Sequence, residues 1–90
     1  MRHAARTDAN HVAVKRALEQ CGAVVLDLSK AGRSVPDLLI RVAGRWSFVE
    51  VKTAKGKLTA DQAAFAAAWP VRVIRSEAEA VQMVQALRSE

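Results

Sequence analysis

Tyrosine is absent, cysteine occurs once, histidine twice, and only four residues of the 90 are aromatic. One cysteine, Cys21, excludes an internal disulfide framework and a cysteine-rich zinc site. With only His3 and His11 beside it, a His/Cys metal cluster is not expected. No apolar run reaches the ~18 residues that a membrane span requires, and the opening Met1-Arg2-His3-Ala4-Ala5-Arg6 has no apolar stretch of signal-peptide type. The expected setting is therefore a reducing cytoplasm, without membrane contact. Large apolar side chains are scarce too: 18 of the apolar residues are alanine, which leaves 28 larger ones. A single domain over residues 1–90 with so thin a core lies near the limit at which one chain suffices, and a homodimer is expected.

Acidic residues are the minority. Nine Asp/Glu stand against fourteen Lys/Arg, for a net charge of +5 and a pI near 10.2. That excess is the electrostatic footprint of a polyanion-binding surface. Many small proteins are equally basic without such a partner, so charge points to nucleic acid without deciding the matter.

No repeat, linker or low-complexity tract divides the chain. Residues 1–7 read as a short flexible basic tail. Thr7 or Asp8 is placed to cap a first helix reaching about Cys21, with Val14, Ala17, Leu18 and Cys21 spaced along one helical face. Gly22 supplies the stop. A strand is expected over 23–28, then a polar, basic loop over 29–34. Pro36 opens a second strand over 37–42, where its missing N–H matters least. Gly44-Arg45 is expected to turn into a third strand over 46–53. Thr59-Ala60-Asp61-Gln62 and Ser76-Glu77-Ala78-Glu79 both fit the capping box, placing helices from there to Trp69 and over about 77–88. The last helix should bury Ala80, Val84 and Leu87, and residues 71–75 alternate like a strand with one polar face. The expected fold is α/β: a small mixed central sheet with flanking helices, in the order α-β-β-β-α-β-α.

The chemistry gathers on the central hairpin. Residues two apart on a strand share a face, so Glu50 and Lys52 point the same way. With Gly44-Arg45 as the turn, Ala43 faces Trp46, Leu39 faces Glu50 and Asp37 faces Lys52. Asp37 and Glu50 are then diagonal neighbours about 7–8 Å apart, close enough for their carboxylates to converge. Two converging carboxylates repel unless compensated. Mg²⁺ offers that compensation, and it activates water and binds phosphate oxygens. An adjacent lysine orients the water or stabilises charge growing on phosphorus. Two acids, a lysine and a metal suffice for phosphodiester hydrolysis. Taken alone, Glu50-Val51-Lys52 reads more readily as an ion-paired polar face; Pro36-Asp37 in register on the partner strand shifts the balance.

These residues resemble a known group. Pro36-Asp37 followed by Glu50-Val51-Lys52 matches the PD-(D/E)XK nuclease signature, and the element order matches that superfamily's restriction-endonuclease-like core. Val35-Pro36-Asp37-Leu38-Leu39, Phe48-Val49-Glu50-Val51-Lys52-Thr53, Lys55-Gly56-Lys57-Leu58-Thr59 and Gln62 together resemble the virus-type replication-repair nuclease (VRR-NUC) domain, whose stand-alone phage and prophage members have about this length. The resemblance implies that Asp37, Glu50 and the Val51 carbonyl ligate Mg²⁺ or Mn²⁺, that Lys52 acts on the nucleophilic water, and that Gln62 is the family's helix glutamine. Gln62 also heads the stripe Gln62, Phe65, Ala66, Trp69, an apolar face turned to the sheet. Many relatives carry a glutamate on the first helix; here Ala13 stands nearest that position, with Asn10 or Asp8 as substitutes. Ser34 stands where the family often has glycine.

Lys30, Arg33, Lys55 and Lys57 flank the acids in two loops and suit contacts to DNA phosphates. His11 reads as a helix-surface residue, Cys21 as a buried helix residue, and Trp46 and Trp69 as core or subunit-interface anchors rather than base-stacking platforms. The leading expectation is a Mg²⁺-dependent, structure-selective DNA endonuclease. The alternatives are a catalytically weak DNA-binding module of the same fold, or a small phage regulator working through protein contacts.

Overall fold

The structure, a computed structural model, describes residues 4–32 and 34–90, with side chains from residue 9 onward. The elements are α1 (Ala4–Gln20), β1 (Val24–Asp27), β2 (Leu38–Val42), β3 (Arg45–Val51), α2 (Ala60–Ala68), β4 (Val71–Ile74) and α3 (Glu77–Ser89). The expected α/β order holds. The first helix starts earlier than expected: α1 begins at Ala4, so Thr7 and Asp8 lie inside it and the tail is helical from there. Ala4 and Ala5, the strongest helix formers, account for the extension. Residues 1–3 of the expected tail lie outside the described residues. Cys21 falls just past the helix and is half-buried against the core rather than a helix residue.

The sheet runs β1-β2-β3-β4, antiparallel up to β3 and parallel between β3 and β4. The parallel step is made by α2, a crossover that lies on one face. The other face is packed by α1 and α3. Val14, Ala17 and Leu18 from α1 and Ala80, Met83, Val84 and Leu87 from α3 meet Leu38, Ile40, Val42, Val49 and Ile74 in one buried cluster. None of α2 is buried. Among the described residues no helix is long and apolar enough to cross a membrane.

The hairpin corrects the expected turn. Val42 pairs with Arg45 and Arg41 with Trp46, so Ala43-Gly44 is the two-residue loop, not Gly44-Arg45. Both loop residues have positive φ, 53° at Ala43 and 79° at Gly44. That is the type I′ geometry whose twist matches the flanking strands. The pairing is displaced by two residues, an even number, and so the faces are unchanged. Leu39 faces Phe48 rather than Glu50. Leu38 pairs with Val49, and one step beyond that pair Asp37 comes opposite Glu50 rather than Lys52.

The two expected capping boxes also part company. At α2 the Thr59 hydroxyl accepts the Gln62 N–H and the Gln62 side chain accepts the Thr59 N–H, a complete box. At α3 the Ser76 hydroxyl accepts the Glu79 N–H, but the Glu79 carboxylate takes the Arg75 N–H instead, at 2.7 Å.

Candidate active site

Asp37 enters the site from the residue before β2, and the sheet holds its backbone there: its carbonyl accepts the Leu28 N–H at 2.7 Å, extending the β1–β2 ladder. Its carboxylate Oδ2 accepts the Val51 N–H at 2.9 Å, a contact from the head of one strand to the tail of the next. Glu50 stands on the same face and is only 4% exposed. Its Oε2 accepts a hydrogen bond from Gln62 Nε2 at 3.1 Å and lies 3.8 Å from the Lys52 ammonium. Burial pushes the Glu50 carboxyl up to about 7; the negative charge and side-chain hydrogen bond of Asp37 push the same way, while Lys52 and the Asp37 backbone oppose them.

The structure brings together the central residues that the sequence singled out. Asp37, Glu50, Lys52 and Gln62 converge, and Val51 joins them through its amide. Gln62 does two jobs at once, with Oε1 closing the helix cap and Nε2 holding Glu50. Phe65, one turn on, packs edge-on to Phe48 with ring centroids 5.2 Å apart, which places α2 over the strand that bears Glu50.

Other expectations land differently. Asn10 does not join the acids: its Nδ2 donates to the Lys52 carbonyl at 2.8 Å and to the Arg75 carbonyl at 3.5 Å. The Asp8 side chain and Arg33 lie outside the described residues. Lys30, Lys55 and Lys57 are exposed on their loops and pair with no other described residue. His11 is a tether rather than a surface residue: its Nε2 is 3.0 Å from Asp27 Oδ2, joining α1 to β1. Partial burial of Asp27 favours its protonated form, but the Ser29 hydroxyl, His11 and the Ser29 amide outweigh it and hold the carboxyl well below the usual range. Trp46 and Trp69 are not core residues; they are 65% and 55% exposed.

Sequence reasoning missed Arg75. Its Nη1 donates to the Thr53 carbonyl at 2.8 Å and to the Gly56 carbonyl at 2.6 Å, fixing the loop that carries Lys55. A cation ending an alternating strand gives no sign of such a role.

The donor set is two carboxylates and no third: among the described residues no group of three His, Cys, Asp or Glu converges. An acid pair of which one member holds its proton to about 7 is short of positive charge, and oxygen donors of this kind suit a hard divalent cation. No family model and no curated protein matches the sequence. A solved structure described as a VRR_NUC domain superposes on 93% of this chain and 95% of its own, at 27% identity and a TM-score of 0.66. The mixed four-stranded sheet in the order α-β-β-β-α-β-α, matched over nearly the whole of both chains, gives this protein the VRR_NUC-like fold, a nuclease-type architecture.

Proposed function

We propose that the chain is a metal-dependent DNA endonuclease that selects branched or junction DNA and acts as a homodimer in a reducing cytoplasm. The observation that carries this reading is the convergence of Asp37, Glu50, Lys52 and Gln62 at one end of the hairpin in a VRR_NUC-like fold. Asp37 and Glu50, with the Val51 carbonyl, would hold Mg²⁺ or Mn²⁺, which when bound supplies Lewis-acid activation of water and neutralises charge on a phosphate. Asp37 is pre-oriented by the Val51 amide, and Glu50 by Gln62 and Lys52, so the acids need little rearrangement to act together. Lys52 is 17% exposed and presents its ammonium at the rim of the acid pair, where it would orient the attacking water and stabilise charge developing on the phosphoryl oxygens. Lys30, Arg33, Lys55 and Lys57 would grip the DNA backbone without reading its sequence.

The case for a second copy comes from the sheet face that α2 leaves bare. Register puts Val24 and Leu26 of β1 on the same face as Arg41 and Leu39, and hence as Trp46 and Phe48. Val24, Leu26, Trp46 and Trp69 are all more than half exposed. Exposed apolar side chains gathered on one face, with Arg41 between Val24 and Trp46, suit an interaction site, and a two-fold pairing over it would set two active sites on one DNA molecule.

The deciding experiment incubates the protein with flap, four-way-junction and plain duplex DNA in Mg²⁺, Mn²⁺ or EDTA. Cutting of branched substrates in either metal, abolished by EDTA, is expected. DNA binding without cutting favours the catalytically weak module, and failure to bind DNA at low salt favours a regulator acting through protein contacts.

A further inference from the structure

Beyond the acid pair the chain leaves β3 and turns sharply, and two side chains remote in sequence hold that turn. The Gly56 N–H donates to the Thr53 carbonyl at 3.1 Å, making a four-residue turn with Lys55 inside it. Arg75 Nη1 takes the carbonyls at both ends of the turn, Thr53 at 2.8 Å and Gly56 at 2.6 Å. The turn folds tightly onto Lys52: a Cβ added to Gly56 would sit 3.1 Å from Thr53 Oγ1 and 3.5 Å from Lys52 Cβ. From the other side Asn10 donates to the Lys52 carbonyl at 2.8 Å, while the Lys52 N–H donates to the Ile74 carbonyl at 3.0 Å. Arg75 is itself anchored, its N–H held by Glu79 at 2.7 Å in the first turn of α3.

The composition of Thr53-Ala54-Lys55-Gly56-Lys57 does not order it. The segment has no large apolar side chain, and a cavity of about 240 Å³ lined by Asn10, Val51, Lys52, Thr53 and Gly56 leaves it room to shift. A planar guanidinium can serve two carbonyls in a fixed geometry, which the point charge of a lysine does less well. With Nη1 committed to carbonyls, Arg75 is arranged to organise backbone rather than to bind phosphate.

We propose that Arg75, assisted by Asn10, is a positioning residue: its two-carbonyl clasp holds the Lys52 ammonium beside Glu50 and presents Lys55 to the DNA backbone. This rests on the nuclease reading above, so its test separates the two. Wild type, Arg75→Ala and Arg75→Lys are compared in single-turnover cleavage of branched DNA at saturating protein, in Mg²⁺ calorimetry, and in hydrogen exchange at the Gly56 amide. Arg75→Ala is expected to slow cleavage about tenfold or more at saturation, a loss expressed in the bound complex. Arg75→Lys should restore part of the rate, metal affinity should stay within about twofold of wild type, and Gly56 should exchange faster in Arg75→Ala. A defect confined to the protein concentration needed for half-maximal rate would overturn the proposal and make Arg75 a phosphate contact. Loss of metal affinity in parallel with rate would overturn it as well, since the acids themselves would then have moved. A wild-type protein that cuts no substrate defeats the nuclease reading, whereas an unchanged Gly56 exchange rate defeats the clasp.

Discussion

Glu50 is a carboxyl whose proton is held first by burial and then by the charge of Asp37. Its folded pKa near 7 lies above the ordinary 4.5, so between those values the folded chain keeps a proton that the unfolded chain has released. Stability from this group is therefore fully present below about 4.5, falls as pH rises through the window, and levels off above 7. Glu50→Gln removes the titration. Thermal melts at pH 4.5 and pH 8 should show the variant gaining on the native protein at the higher pH. A divalent cation competes for the same oxygens, so Mg²⁺ affinity by calorimetry should climb with pH up to about 7 and be nearly lost in Asp37→Ala. On the proposed reading Lys52 acts in the transition state. Lys52→Ala should cut cleavage by roughly 10²-fold or more while DNA affinity, measured in Ca²⁺, stays nearly unchanged. Loss of binding with an intact rate per complex would make Lys52 an ordinary phosphate contact. Lys55→Ala and Lys57→Ala should instead weaken binding to all sequences alike and lower the salt slope by about one.

Among the elements, the hairpin shows what a sequence carries and what it withholds. The alternation of Leu38 to Val42 and of Phe48 to Lys52 was legible, and with it the face shared by Asp37, Glu50 and Lys52. The turn was not, because an alanine with a φ of 53° carries none of the chemistry that marks such positions. The acids were found together despite the wrong loop, since an even displacement leaves every side chain on its own face. Gln62 was legible twice over, from the Thr59 cap and from its place at the head of the apolar stripe. Asn10 and Arg75 were not, because both act on backbone carbonyls brought close only by tertiary folding, between residues 42 and 19 or more positions apart. Ala43 offers a direct test of the turn. Ala43→Asn supplies the residue that the first position of a type I′ turn prefers, and should stabilise the protein by about 0.5–1 kcal/mol in urea denaturation. A neutral or destabilising result would count against the Ala43-Gly44 loop.

The molecule as a whole is lopsided. One face of the sheet is sealed by α1 and α3, while the other carries the acids, a helix with no buried residue, and two exposed tryptophans. If that bare face is covered by a second copy, light scattering at micromolar concentration should give about twice the 9.8 kDa chain mass, and Trp46→Glu should return it to the monomer. A constant monomer mass for the native protein would rule the pairing out. The asymmetry also decides how the protein tolerates change. Core truncations on the sealed side, such as Leu38→Ala, should lower stability by about 2–5 kcal/mol. Substitutions along the outer surface of α2 remove almost no buried area and should leave the melting temperature nearly where it was. Fold and proposed chemistry thus lie on opposite sides of a single sheet, and changes on the outer surface of the helix that holds Gln62 over Glu50 should pass without the core registering them.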